Sequence, residues 1–528
     1  MSLSKRKQPK ELLLDTKIDG KVNFTRTSVL LPEIQVSADG RSNKERTPGV
    51  VSLPPVPGSK DWLPALVTAA REEVMVRDST EGSTGGHRSD APDVFFAVDL
   101  ECVLHKYRRW HHCFPRIKPF YAVKCNPNRA VVSALAMTSG CGFDCASPAE
   151  IDLVLGCGVD PSRIIYANPC KEMAALQHTL SAGVTTMTFD SEDELLKIRN
   201  ARAQQTIIPV QASVQVVLRL RVPDAYSDCP LGEKYGALEE VCGDLIASTV
   251  DLGFDLVGVS FHCGSGCQNA QAYPAALEVA KRVFDLAAGQ GIQLTLLDIG
   301  GGFPGWDGSE YVYEGGGSEE GITSPPPLSL EEIGEITRPV LDELFPPISG
   351  VKVIAEPGRY FVEASHVLFT RIYAKRPVAM RGGPTLYLAS RAEGGESVVE
   401  TKKALFIDEG VDGCFKDTVL FGVCFEPCPI LFPSGLPHAV AVKGEKRLPG
   451  VAKEDGEEDF VVMGPSGSPA DVVARKRLPK SLGPGDWLFF SRMGAYTSSI
   501  ASVASSAAVR TSCFYVASSP ADPREGVV

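Results

Sequence analysis

From Val94 onward the chain alternates short β-branched or aromatic runs with amphipathic helical stretches, and this alternation restricts the fold more than any other feature. The runs include Phe120 to Lys124 (FYAVK), Ile164 to Ala167 (IIYA), Thr186 to Phe189 (TMTF), Val216 to Val222 (VVLRLRV), Leu256 to Phe261 (LVGVSF), Leu294 to Ile299 (LTLLDI) and Val351 to Ala355 (VKVIA). Between them lie segments such as Pro148 to Leu155, Glu192 to Arg202 and Tyr273 to Ala288, whose apolar residues recur at the three- and four-residue spacing of a helix face. Strand then helix, repeated, means parallel strands joined by crossovers. Roughly eight such units over about 250 residues suit a (β/α)8 barrel, with a doubly wound open sheet as the alternative, because periodicity alone does not close a barrel.

After about residue 370 the texture changes to strand-like pieces separated by Pro and Gly, such as Thr385 to Ala389, Ala404 to Ile407 and Trp487 to Phe490. That pattern predicts an all-β domain, a sandwich or barrel. Gly305 to Pro327, Arg381 to Glu400 and Lys443 to Asp459 read as exposed, mobile loop insertions. Residues 1–90 mix charge, Ser, Gly and Pro, and Asp78 to Pro92 (DSTEGSTGGHRSDAP) has a linker's composition. A chain of 528 residues exceeds what one core can hold. The expected division is a largely disordered or β-domain-associated segment (1–90), a barrel (91–370) and a β domain (371–528).

The net charge of −12 opposes non-specific attraction to nucleic acid or anionic lipid. None of the fifteen cysteines forms a C-x-x-C pair, and neither Cys263/Cys267 nor Cys424/Cys428 has histidines at metal spacing, so reduced thiols and no metal are expected. Met1 to Lys10 is basic but is followed by only three consecutive leucines, too few for a secretory signal. With no apolar run near the eighteen or so residues of a membrane span, a cytoplasmic chain without membrane contact is the expectation.

In such a barrel the site forms at the C-terminal strand ends, so polar residues just past each apolar run carry the functional reading. Lys124 ends FYAVK, where burial of its stem would depress the amine toward its neutral, nucleophilic form. A solvated charge is the competing reading. Asp298-Ile-Gly-Gly-Gly-Phe-Pro-Gly305 places three glycines directly after a strand, where backbone N–H groups can close on a phosphate; a tight structural turn is the alternative. Glu356-Pro-Gly-Arg359 offers a carboxylate for a pyridinium nitrogen and a guanidinium for a phosphate. His262 closes another strand beside Ser265, and Asp144 and Arg219 occupy similar positions.

YAVKCN (121–126), GFDCAS (142–147), RIIYANPCK (163–171), TFDSEDEL (188–195), VGVSFHCGSG (257–266), LLDIGGGFPG (296–305), EPGRY (356–360) and MGAYT (493–497) are together similar to the eukaryotic ornithine decarboxylases. The resemblance runs from about residue 94 to 510. It implies a pyridoxal 5′-phosphate (PLP) barrel followed by a β domain, a head-to-tail homodimer with sites at the subunit interface, and conversion of L-ornithine to putrescine in polyamine biosynthesis. Carried over by position, Lys124 would be the Schiff-base lysine, Glu356 the partner of the pyridine nitrogen and His262 the ring-stacking residue. Ser265, Gly300, Gly301, Gly302, Arg359 and Tyr496 would hold the phosphate, with Asp144, Glu150 and Arg219 as the supporting network.

The resemblance fails in the substrate strings. Where the family reads G-P-x-C-D, with a proton-donating cysteine and an amine-binding aspartate, this chain reads Gly464-Pro-Ser-Gly-Ser468, which puts Gly467 and Ser468 at those positions. Where the family reads D-G-V-Y-G, Glu409-Gly-Val-Asp-Gly413 substitutes Asp412 for the tyrosine, and an ungapped count sets Phe421 at a second amine-binding aspartate. An ornithine ammonium buried without partners would cost several kcal/mol. Three readings follow: a PLP-dependent decarboxylase with an altered substrate pocket, a PLP enzyme whose outcome is decarboxylative transamination or oxidation, and a non-catalytic regulator like the antizyme inhibitors. A shifted alignment, in which Asp408, Asp417 or Asp471 supplies the missing carboxylate, is the alternative account of the pocket.

Overall fold

A computed structural model describes residues 94–204, 213–306, 328–381, 399–430, 456–502 and 512–516, all within one compact unit. The expectations for residues 1–90 and for Thr385 to Ala389, and most of those for the three insertions, fall outside them. The edges of two supposed insertions prove to be strand: Arg381 ends β12 (His366–Arg381), Glu400 lies in β13 (Val399–Ile407), and Asp459 lies in β15 (Glu457–Met463). Cross-strand pairing claims them, including Met380 with Glu400 and Asp459 with Arg477.

Eight parallel strands close a barrel: β2 (Ile117–Ala122), β3 (Gly142–Cys145), β4 (Ile164–Tyr166), β5 (Thr186–Phe189), β6 (Gln215–Arg219), β8 (Asp255–Ser260), β10 (Leu296–Asp298) and β11 (Lys352–Ala355), the last pairing back to β2. β7 (Ser227–Cys229) and β9 (Ser265–Cys267) form a separate antiparallel ribbon above it. Phe120, Ile165, Ala167, Val217 and Ile354 fill the interior as one cluster. Gly142 makes room for the largest of them, since a Cβ there would lie 2.5 Å from the Phe120 ring. The barrel is thus a packed core whose openings lie only at its ends.

The remaining strands make one eight-stranded mixed sheet, ordered β14 (Cys428–Ile430), β17 (Trp487–Phe490), β12, β13, β15 and β16 (Val472–Pro479), with β1 (Val94–Asp99) paired to β12 and β18 (Ser512–Val516) to β1. The first described strand therefore belongs to this sheet. Phe95 stacks on Phe369 with ring centroids 4.8 Å apart and packs against Trp487. β12 pairs with β17 up to Arg371 and with β13 from Ile372, with a register irregularity between Ile372 and Ala374, the device that lets one strand serve two half-sheets. From β1 the chain enters the helix Leu100–Cys113, capped by Asp99, whose carboxylate accepts from the Glu101 and Cys102 N–H groups.

The mixed sheet contributes one segment to the barrel mouth. Tyr496 N–H and Ser499 Oγ both donate to the Cys125 carbonyl, each at 3.0 Å, and Asn126 Nδ2 donates to the Gly494 carbonyl at 2.8 Å. These bonds clamp the 3-10 turn Val123–Cys125, directly after β2.

Candidate active site

One cleft, about 290 Å3 including its part open to solvent, is lined by Lys124, His262, Ser265, Gly302, Glu356, Arg359 and Tyr496, together with Ala122, Gly266, Phe303 and Gly358. Its polar residues come from the C-terminal ends of β2, β8 and β11, from β9 and from the mixed-sheet segment. Rigid strands hold it on one side and a clamped turn on the other.

Lys124 Nζ donates to Asp144 Oδ2 at 2.8 Å, while Asp144 Oδ1 is buried without a partner among the described residues. The expected neutral amine is not what the structure gives. Burial alone would lower the Lys124 ammonium, but the Asp144 and Glu356 carboxylates and the Tyr496 oxygen outweigh it and hold the ammonium above its ordinary range. Burial at the strand end does act on Lys124, but the carboxylates that outweigh it lie on other strands and do not show in the sequence of its own.

Glu356 and Asp298 form a buried carboxyl pair. Asp298 Oδ1 accepts from Gly300 N–H at 2.9 Å, and Glu356 N–H donates to the Gly300 carbonyl at 2.6 Å. Burial pushes Asp298 up to about 7 and Glu356 well above the carboxylate range, so the pair holds a shared proton near neutral pH. Asp298 was not among the expected site residues, although it opens the same glycine string; its signal was the position at a strand end.

His262 Nδ1 accepts from Gly264 N–H at 3.0 Å. Burial, Arg219 and Lys124 hold the imidazole well below its usual range, so it is neutral and its ring lies open at the cleft wall. Gly301 is required beside it, because a Cβ there would lie 2.8 Å from His262 Nε2 and from the Glu356 carbonyl. Gly300 adopts a φ of 64°, and a Cβ there would meet the Phe261 carbonyl at 2.1 Å. Gly302 alone of the three lines the cleft directly.

Arg359 opens the short helix Arg359–Val362, and its guanidinium lies 5.2 Å over the Tyr496 ring, with Nε unpartnered among the described residues. Tyr496 has a φ of 53°, an uncommon backbone state for a residue with a Cβ, which its hydrogen bond to Cys125 helps to hold. Glu150 and Arg219 stand outside the lining: Glu150 accepts from Ala146 N–H and Ser147 Oγ, both at 2.9 Å, and the Arg219 guanidinium lies 5.1 Å over the Tyr235 ring.

The substrate-string positions do not join this cleft. Asp412, Gly467 and Ser468 are exposed and Phe421 is 49% exposed; around Gly467 a Cβ would find no heavy atom within 4 Å. Asp471 is buried, but its carboxylate already accepts from Val411 and Ser466 N–H groups. Ala122, Gly266, Phe303 and Gly358 also line the cleft, and nothing in their own chemistry distinguishes them in the sequence.

The family model for the pyridoxal-dependent decarboxylase, pyridoxal binding domain, matches residues 100–363. The chain is 37% identical over 436 residues to the ornithine decarboxylase of Mus pahari, covering 82% of each. It is also 37% identical over 406 residues to antizyme inhibitor 2 of Xenopus laevis, covering 77% of each. Among solved structures, the Paramecium bursaria Chlorella virus arginine decarboxylase bound to agmatine aligns with a TM-score of 0.62 at 27% identity, over 80% of this chain and 96% of that one. This chain belongs to the family of pyridoxal-dependent decarboxylases that includes the ornithine decarboxylases.

Proposed function

We propose that the chain is a PLP-dependent amino-acid decarboxylase, a carboxy-lyase resembling ornithine decarboxylase. The observation that carries this reading is the convergence of Lys124, His262, Glu356, Arg359 and Tyr496 on one cleft. The residues fit the cofactor: Arg359 keeps an Nε unpartnered among the described residues, Gly302 brings side-chain-free backbone to the cleft lining where an anion can approach, and the Asp298–Glu356 pair holds a proton to share with a ring nitrogen. Lys124 would carry the covalent link, Glu356 would meet the ring nitrogen and His262 the ring face. Ser265, Gly300, Gly301, Gly302, Arg359 and Tyr496 would take the phosphate, with Asp144, Glu150 and Arg219 in support.

Bound there, PLP supplies a conjugated, protonated ring that accepts the electron pair left as carbon dioxide departs. The chain's own residues set the conditions for that loss. Asp144 fixes the Lys124 amine at 2.8 Å and holds its proton. The neutral His262 adds no positive charge that would compete with Glu356 for the ring. Arg359 and the glycine turn anchor one end of the bound group so that the bond to be broken keeps its orientation.

Reconstitution with PLP, followed by an amino-acid panel scored for carbon dioxide and product mass, tests this reading. An amine plus carbon dioxide is expected. A carbonyl product would replace simple decarboxylation with transamination or oxidation, and absence of cofactor absorbance and of carbon dioxide with every substrate would overturn the decarboxylase. The second reading, a regulator like the antizyme inhibitors, draws on the Xenopus relative and on the exposed Gly467 and Ser468. An inactive but PLP-binding chain would favour it.

The same reading extends to a homodimer. Val419, Leu420, Phe421 and Val423 are all exposed within five positions, an apolar run that a second copy would cover. Sedimentation at micromolar concentration checks it, with a monomer as the contrary result. A cytoplasmic setting draws support from fifteen free cysteines, and a diamine product would belong to polyamine biosynthesis. Cell fractionation tests the location. Among the described residues no helix is long and apolar enough to cross a membrane.

A further inference from the structure

His366 opens β12 and is buried, with no place in the lining of the cleft. Burial pushes its imidazole down to about 4, so the ring is neutral near pH 7. Both ring nitrogens are engaged. Asn126 Nδ2 lies 3.1 Å from His366 Nε2, and two further bonds fix the orientation of that amide: Oδ1 accepts from Asn128 N–H at 3.0 Å, and Nδ2 donates to the Gly494 carbonyl at 2.8 Å. An amide nitrogen only donates, so Nε2 accepts and the ring proton sits on Nδ1. That proton goes to Ser365 Oγ at 2.8 Å, and the Ser365 hydroxyl donates to the Val362 carbonyl at 2.9 Å. One neutral imidazole therefore joins a donor on one side to an acceptor on the other.

The elements this relay joins are those that carry the groups assigned to the cofactor. Asn126 directly follows the turn Val123–Cys125 that holds Lys124, and its carbonyl accepts from the buried Tyr121 hydroxyl at 2.8 Å. Gly494 belongs to the segment that holds Tyr496. There Met493 N–H donates to the His366 carbonyl at 2.9 Å, and Gly494 N–H donates to the Glu363 carbonyl at 3.3 Å. Val362 closes the helix that Arg359 opens. The packing leaves no slack, since a Cβ on Gly494 would run into the Val362 carbonyl and lie 2.8 Å from His366 Nδ1. The lysine and two of the groups for the phosphate are thus tied to one ring.

We propose that His366 is a positioning residue for the cofactor: its imidazole holds the Lys124 turn, the Tyr496 segment and the Arg359 helix in one arrangement, so that the aldehyde end and the phosphate end of PLP are seated together. The proposal rests on the decarboxylase reading. Without the two ring bonds each element keeps its local contacts, but the spacing between the two ends of the site is no longer enforced. A ligand that uses both ends gains most from such preorganisation. PLP therefore depends on His366 more than pyridoxal, which has no phosphate.

The test measures binding of PLP and of pyridoxal, by absorbance titration, to the full chain prepared without cofactor, in the wild type, His366→Phe, His366→Gln and Ser365→Ala. His366→Phe keeps a ring but neither bond, and the ratio of PLP to pyridoxal affinity should fall about ten-fold or more, the range of lost buried hydrogen bonds. His366→Gln, which can still accept from Asn126, should recover part of the ratio, and Ser365→Ala should lower it about three-fold. An unchanged ratio in His366→Phe, or equal losses for both ligands, would overturn the proposal, because a merely structural residue lowers stability without telling the two ligands apart. If His366→Phe does not fold, Ser365→Ala decides by the same ratio. Nitrogen NMR of the protein without PLP, with His366→Gln to assign the signal, should show a neutral ring with its proton on Nδ1 at pH 7; a proton on Nε2 would overturn the relay. Failure of the decarboxylase reading looks different: PLP binds but no amino acid yields carbon dioxide, and the ratio still decides the role of His366. A wild type that binds no PLP overturns both.

Discussion

Lys124, His262 and Glu356 stand on strand ends of a closed barrel, whereas Asp412, Phe421, Gly467 and Ser468 stand on exposed segments of the mixed-sheet region. At the rim, the neighbours of each functional group come from other strands of the same chain: Asp144 for Lys124, Gly301 for His262, Asp298 for Glu356. Around Gly467, by contrast, a Cβ would meet no heavy atom of the described chain within 4 Å. The groups proposed to meet the cofactor therefore find these described neighbours within one chain. The proposed homodimer would place a second copy over the exposed apolar run from Val419 to Val423.

The largest expected effect belongs to the rim. Lys124→Ala should abolish covalent cofactor attachment and lower carbon dioxide release by about a thousand-fold or more, read by cofactor absorbance and turnover. Substantial residual turnover would mean that Lys124 does not carry the cofactor. Gly301→Ala comes next, since its methyl group would press on both His262 and the Glu356 carbonyl. At about 1–3 kcal/mol of overpacking, PLP affinity measured by titration should fall about ten- to hundred-fold.

Asp298→Asn probes the carboxyl pair through pH. Asp298 is raised from 3.8 to about 7, so the folded chain keeps a proton that the unfolded chain has already released. Its stabilising contribution is full below about pH 4 and is lost as pH rises through about 7. Melting temperatures of protein prepared without PLP should therefore show this loss between about pH 4 and 7 in the wild type and a flatter profile in the variant. Equal profiles would remove the shared proton. The smallest effect is expected at Gly467→Cys, which enters open space and should change stability by less than about 0.5 kcal/mol in chemical denaturation. A loss of several kcal/mol would mean that the turn is covered after all.

Individual elements were legible to different degrees. Thr186–Phe189 and Trp487–Phe490 fall where their β-branched and aromatic runs predict, because local propensity and burial agree there. Pro148–Leu155 likewise follows its helical spacing, with Ser147 as cap. Asp459 read as loop because its neighbourhood is polar, yet an antiparallel partner strand claims it. Val94–Asp99 looked like the start of the barrel, and only long-range pairing with β12 assigns it to the other sheet.

By itself the sequence determined the strand and helix repeat, the glycine string and the identity of the groups at the strand ends, all of which depend on residues close together in the chain. Closure of the barrel, the ammonium state of Lys124 and the Asp298–Glu356 pair were decided by tertiary structure. The reason is physical: hydrogen bonding, desolvation and charge act across a few ångströms of space, and the residues that supply them here lie from 20 positions apart, as Lys124 and Asp144 do, to 236 apart, as Ile117 and Val353 do.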